Sequence, residues 1–317
     1  MNNQYVAIIS HPDCLRHNMG IGHPESPQRI SVIEEALKNS NISALLQFYQ
    51  AKPATFAELK RVHDSSYINS LFEKLPKEGT FHLDPDTIMC PFTLQAALLA
   101  AGAVIQAVDC TMQTNVKQVF CNIRPPGHHA EHDRAMGFCF FNNIAIGVAH
   151  ALEQYSFKRV AIVDFDVHHG NGTENIFQKE DRVLLLSSYQ HPFYPFNKVT
   201  ENNPHILHMP LLTGSTGKDY KQKVANEWLP VLADFSPELL FISAGFDAHA
   251  DDPLAGLHFH EEDYYWITQQ LLAIAKQFCH DRVVSVLEGG YNLQALQRCV
   301  LAHIHALLNK TFNITKS

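Results

Sequence analysis

Val160-Ala161-Ile162-Val163-Asp164-Phe165-Asp166-Val167-His168-His169-Gly170-Asn171-Gly172 is the stretch on which the reading of this 317-residue chain turns. It opens with a short β-branched run, the signature of a buried strand in a parallel sheet. It then passes into acidic residues, histidines and glycines. In an extended chain, residues two apart share a face. Asp164, Asp166 and His168 therefore point together where the strand ends. A carboxylate and an imidazole on one face are two ready metal ligands.

Similar apolar runs recur at 5–9, 119–122, 183–186, 239–243 and 283–287. Between them lie segments of helical spacing at 93–108, 143–154, 218–233, 262–278 and 293–308. Ser26 before Pro27 reads as an N-cap and first-turn proline for a helix to about Lys38. Strands alternating with helices imply crossover units, hence an α/β fold with a parallel sheet covered on both faces. In such sheets the ligand site lies at the carboxyl ends of the strands.

That rule picks out four loops. The first is 164–172. In the second, run 239–243 is followed by Ala244-Gly245-Phe246-Asp247, so Asp247 offers a third ligand and leaves one position open, as in catalytic zinc sites. In the third, run 119–122 leads into Arg124-Pro125-Pro126-Gly127-His128-His129, a stiff loop ending in two histidines. In the fourth, run 283–287 leads into Glu288-Gly289-Gly290-Tyr291, whose phenol can donate to an oxyanion.

Composition limits the alternatives. Hydrophobic residues make up 46% and charged residues 18%, enough for a sizeable core. The formal charge of −8 argues against a general nucleic-acid binder and suits a cationic substrate. The 7 cysteines form no C-x-x-C pair and are odd in number, so a disulfide framework is not expected. With no leader-like start and no membrane-length apolar run, the expectation is a cytoplasmic protein that touches no membrane. No linker, charge block or repeat divides the chain. One domain over 1–317 is expected, with a short polar tail from about 310. Nothing in the pattern indicates an oligomeric state.

Taken together, the motifs resemble the zinc-dependent histone deacetylase family, which includes acetylpolyamine amidohydrolases. The resemblance also rests on Gly22-His23-Pro24-Glu25-Ser26-Pro27-Gln28-Arg29, Gly137-Phe138-Cys139-Phe140-Phe141-Asn142-Asn143 and residues 244–256. It implies the arginase-like three-layer fold with a central parallel sheet of about eight strands. It implies that Asp166, His168 and Asp247 hold one catalytic zinc. His129 becomes the general base and acid, His128 its electrostatic partner, and Asp164 the carboxylate orienting His128. Asn171 stands behind His129 where some members carry aspartate, a class II pattern. Tyr291, the oxyanion donor, marks an active deacetylase of acetyl-lysine or longer acyl-lysine proteins and peptides.

Gly137, Phe138, Tyr194 and Leu254 are implied walls of the substrate tunnel. A structural potassium would take Asp164, the carbonyls of Asp166 and His168, and Ser187 and Ser188. A second potassium would lie near Phe177 and Val183. Arg29 either lines an acetate channel or lies on a helix surface.

Three rivals stay open: an acetylpolyamine amidohydrolase, a non-catalytic acyl-lysine binding module, and a dimanganese ureohydrolase of the same fold. Against the last, Gly170 stands where a bridging carboxylate is needed. Against the first, Leu254 rather than an acidic residue stands at the gate.

Overall fold

The computed structural model describes residues 5–196 and 203–312. Eight strands form one wholly parallel sheet: β1 (Val6–Ser10), β2 (Leu46–Gln50), β3 (Gln118–Cys121), β4 (Val160–Asp164), β5 (Val183–Gln190), β6 (Ile206–Leu211), β7 (Leu239–Ala244) and β8 (Val283–Leu287). Their order is β2-β1-β3-β8-β7-β4-β5-β6. Helices cover both faces, giving the three-layer α/β fold expected. Every residue of β3, β4, β5, β7 and β8 is buried. Burying each such aliphatic side chain is worth about 1.5–3 kcal/mol.

The apolar runs located the central strands. They missed β2 and β6, the two edges. An edge strand is covered on fewer sides, so its sequence need not be uniformly apolar. In β2 only Leu46 is buried, and β6 carries His208 and Pro210 among its apolar residues. Proline is tolerated there because an edge strand has N–H positions that no neighbour needs.

Two helix expectations need correction. The first helix runs Gln28–Asn39, and Pro27 occupies the N-cap position with no side-chain cap. Ser26 contributes its carbonyl, which accepts from Arg29 N at 3.1 Å, rather than its hydroxyl. The single helix expected over 218–233 is instead Gly217–Lys223, a π-helical turn Val224–Trp228, and Leu229–Phe235. Pro230 has no N–H to offer the carbonyl four residues back, so the ladder is broken where the wider turn ends.

Thr93–Gln113 is long and apolar enough to cross a membrane, with mean hydropathy 1.4, but 72% of that window is buried inside the fold. It is a core helix packed on the sheet and on helix Asn143–Gln154. The polar tail expected from about 310 lies partly outside the described residues, at 313–317. Before it, Tyr265 OH donates to the Lys310 carbonyl, and Phe312 stacks on Tyr265.

Gly102, in the middle of that core helix, tests the packing. A Cβ there would lie 1.8 Å from the Lys52 carbonyl oxygen and 2.7 Å from Ala54 N. Replacing a helical glycine by alanine ordinarily gains about 1 kcal/mol. Here overpacking against backbone should reverse the sign. Gly102→Ala is expected to lower stability by about 1–3 kcal/mol in denaturant unfolding; a stabilised variant would contradict the packing.

Candidate active site

Strands β3, β8, β7 and β4 are neighbours, so the loops after them meet at one end of the sheet. This adjacency brings together residues more than 160 positions apart in sequence.

Asp166, His168 and Asp247 converge, with one ligand-type atom from each within 4.8 Å of the others. His168 Nδ1 lies 3.0 Å from Asp166 Oδ1 and 3.3 Å from Asp247 Oδ2. The two aspartates are fully buried and His168 is 12% exposed. Their other oxygens are held by backbone. Gly289 N donates to Asp166 Oδ2 at 2.8 Å, and Val167 N to Asp247 Oδ1 at 2.9 Å. Asp247 Oδ2, although buried, has no donor of good geometry, its nearest being His168 Nδ1 at 3.3 Å. A buried carboxylate oxygen without a donor is costly, and a cation removes the cost. The two-carboxylate, one-imidazole set therefore fits a divalent metal.

The histidine pair stands beside this cluster, ring centroids 4.0 Å apart. His128 Nδ1 contacts Asp164 Oδ2 at 3.0 Å, and His129 Nδ1 contacts Asn171 Oδ1 at 2.8 Å. Asn171 Nδ2 donates to Glu131 Oε1 at 2.8 Å, which fixes the orientation of the amide. Its oxygen therefore faces His129, so Nδ1 carries the proton and Nε2 is left to accept one. Burial, reinforced by the neighbouring His128 and His168, pushes the His129 pKa well below the usual imidazole range. Burial also opposes charge on His128, but Asp164, Asp166 and Glu288 outweigh it and raise that pKa to about 10. Burial lifts the Tyr291 phenol well above its ordinary value, so the hydroxyl stays a donor.

A narrow cavity of about 80 Å³ reaches this group, lined by Asp86, His129, Gly137, Phe138, His168, Tyr194, Leu254 and Tyr291. All four expected tunnel residues are therefore present. Tyr194 sets its ring edge-on to His129 at 5.2 Å, while Phe138 packs edge-on to Tyr291 at 5.9 Å. Gly137 and Phe138 both have positive φ, +56° and +69°. Phe138 can hold this strained backbone only because its surroundings over-determine it.

The remaining expectations divide. Asp164 pairs with Ser187 across β4 and β5, and the Ser188 hydroxyl donates to the Asp164 carbonyl at 3.5 Å. Ser187 Oγ instead meets His169 Nδ1 at 3.1 Å. Phe177 and Val183 are buried and linked through Glu180, whose N–H donates to the Phe177 carbonyl and whose carbonyl accepts from Val183 N. Arg29 is not on a helix surface. It is fully buried, donates to the carbonyls of Gly290 and Glu288, and sits 5.0 Å from the Tyr291 ring. The ureohydrolase geometry is blocked: a Cβ at Gly170 would lie 2.4 Å from Asp164 Oδ2. Asp247-Ala248-His249-Ala250-Asp251 has a similar Asp-x-His-x-Asp spacing, but Asp251 is turned to Arg298 at 3.0 Å.

Four residues escaped the sequence reading. Glu288, fully buried, accepts from Gly127 N at 2.7 Å and His128 N at 3.1 Å, so it seats the histidine loop; burial raises its pKa to about 7. Asp252 accepts from Tyr291 N at 2.7 Å and so positions the phenol-bearing loop. Glu25 binds Arg124 bidentately at 2.7 and 2.6 Å, anchoring the same histidine loop from behind. Phe193 stacks on His168, centroids 5.3 Å apart. Glu288 and Asp252 had a weak signal, being acids that follow apolar runs or abut a proline.

Comparison with known proteins agrees with this fold. Residues 23–307 match the model of the histone deacetylase domain. The chain belongs to the histone deacetylase family. It is 36% identical to the histone deacetylase-like amidohydrolase of Pseudomonas aeruginosa, over 90% of this chain and 77% of that one. It is 34% identical to type-2 histone deacetylase 2 of Dictyostelium discoideum, over 98% of this chain but only 21% of that longer protein. Among solved structures, the crystal structure of the HDA15 HD domain superposes with a TM-score of 0.90 at 32% identity, covering 98% of this chain and 91% of that one. Family membership makes the chain a hydrolase of the deacetylase and amidohydrolase kind.

Gly137 supplies a direct check on the cavity. A Cβ there would lie 2.5 Å from the His129 ring, at a φ that side chains rarely adopt. Displacing a reacting group by about 1 Å costs roughly 100-fold in rate. Gly137→Ala should lower kcat/KM for an acetylated amide by about that factor with its circular dichroism unchanged. Wild-type kcat/KM in the variant would show that His129 and the cavity wall are not in register.

Proposed function

We propose that this chain hydrolyses the N-acyl amide of acetyl-lysine in proteins or peptides, releasing acetate and free lysine, with one zinc bound by Asp166, His168 and Asp247. The observation that carries the reading is the meeting of that ligand set, His129 and Tyr291 at the floor of one narrow cavity. A cavity so slim suits an extended alkyl stem better than a bulky substrate. Zinc at this site would act as a Lewis acid toward the acyl carbonyl and toward water.

The protein's own groups account for the proton movements. His129 Nε2, free because Asn171 holds Nδ1, takes the proton of the attacking water and then returns it to the leaving amine. Tyr291 donates its hydroxyl to the oxygen on which negative charge develops. Asp252 and Arg29 hold the Tyr291 loop in place, and Glu288 holds the histidine loop. Asp164 fixes His128 against His129.

A structural potassium would take Asp164, the carbonyls of Asp166 and His168, Ser187 and Ser188, and a second ion would lie near Phe177 and Val183. Potassium there would brace the loop that carries the zinc ligands. The seven unpaired cysteines agree with a reducing compartment such as the cytoplasm.

Asp86 supports a second reading. Its carboxylate lines the cavity beside Tyr194 and Leu254. A negative group there would also suit an acetylated polyamine, whose remaining amines are cationic. A panel of acetyl-lysine peptides, longer acyl-lysines and acetylpolyamines separates the two. The first reading expects the peptides to give the highest kcat/KM; polyamine preference would replace it by the second.

Tyr291→Phe tests the chemistry common to both. Losing one oxyanion donor costs roughly 100- to 1000-fold in kcat. The variant should show that loss while retaining zinc. Unchanged turnover would remove Tyr291 from the mechanism, and binding of acyl-lysine without turnover by the wild type would favour a non-catalytic module.

A further inference from the structure

A second group of metal-ligand side chains lies behind the first. His169 follows His168 in the loop after β4, Glu174 sits in helix Asn171–Phe177, and His208 is on edge strand β6. One ligand-type atom of each lies within 4.8 Å of the others. Glu174 Oε2 is the shared focus: His169 Nε2 stands 2.6 Å from it and His208 Nε2 3.5 Å. His169 and Glu174 are buried, and the His208 side chain is 14% exposed.

We propose that His169, Glu174 and His208 form a second site for a divalent transition metal, zinc above all, separate from the Asp166, His168 and Asp247 cluster. Two imidazoles and one carboxylate are a zinc-type donor set with a position left for water. One divalent ion could take the Glu174 carboxylate and both Nε2 atoms at once, displacing any proton that Nε2 carries.

The surroundings hold the donors as a metal site requires. His169 Nδ1 is engaged by Ser187 Oγ at 3.1 Å, which turns Nε2 toward Glu174. Such a partner on the far nitrogen is the usual way a ligating imidazole is oriented. Tyr189 packs against both rings, at 4.8 Å from His169 and 6.0 Å from His208. The carboxylate and one imidazole ride on a helix and a strand rather than on loops, so little order has to be created on binding. His169 also lines a cavity of about 180 Å³ with Tyr189, His191 and Phe193. An ion here would tie β6 and helix Asn171–Phe177 to the segment that carries His168.

Zinc counting on the full chain tests this. Metal-depleted protein is dialysed against a modest excess of zinc alone and its metal content measured, with thermal unfolding followed in parallel. Wild type should hold two equivalents. His208→Asn and the near-isosteric Glu174→Gln should each hold one, with the second bound at least about tenfold more weakly. Asp247→Asn should also keep one, and Asp247→Asn with His208→Asn none. The second equivalent should raise the unfolding temperature of wild type and not of His208→Asn. His208→Asn should retain wild-type turnover at one equivalent of zinc. One equivalent in wild type, or a second that survives in both His208→Asn and Glu174→Gln, would overturn the proposal. The Asp247→Asn arm reports on the first site separately.

Discussion

Four carboxylates, Asp164, Asp166, Asp247 and Glu288, are buried at the carboxyl ends of β4, β7 and β8. Ionised carboxylates are very costly to bury unless each finds donors or cations. Much of the site can be read as the answer to that cost. Backbone N–H groups of residues 127, 128, 166, 167, 168 and 289 point at these oxygens. That is possible only because glycines let the backbone approach. A Cβ at Gly289 would lie 1.9 Å from Asp247 Oδ2, and one at Gly245 would lie 2.1 Å from Asp166 Oδ2. The charge left over falls on His128 and His168, and on the cation that Asp166, His168 and Asp247 are arranged to hold.

The same constraint explains the depth of support behind the site. Arg29 and Arg124 are both fully buried and both bind Glu25. Burial opposes the Glu25 charge, but Arg124 and then Arg29 overcome it and hold its pKa at about 2. This ion-paired layer connects helix Gln28–Asn39 to the histidine loop and, through Arg29, to the Tyr291 loop. Such a buried network is weak evidence for stability in itself. Its consequence here is geometric, since it sets one helix and two loops at fixed distances from one another.

Legibility in the sequence followed covering and chain proximity. The central strands announced themselves because they are covered on both faces and so must be apolar throughout. The edges β2 and β6 did not, because partial exposure lets Gln47, His208 and Pro210 stand among their apolar residues. The ligand set was legible because Asp166 and His168 are two apart and Asp247 follows a strand. Motif resemblance then assigned roles that spacing alone left open. Glu288 and Asp252 were only faintly legible and Phe193 not at all, since their importance lies in contacts made across the chain: Gly127 to Glu288, Asp252 to Tyr291, Phe193 to His168. Arg29 was undecided for the same reason, as its partners lie about 260 positions away. The His169, Glu174 and His208 group shows the limit most clearly, because its third member sits on a strand that the pattern did not reveal.

The central claim is that chemistry depends on a metal held by Asp166, His168 and Asp247. Titrating zinc into metal-depleted protein while following turnover of an acetyl-lysine peptide tests it most directly. The account predicts negligible turnover without metal, a rise to a plateau with the first equivalent, and no recovery in Asp247→Asn. Full turnover by the metal-depleted protein, or recovery in Asp247→Asn equal to wild type, would contradict it.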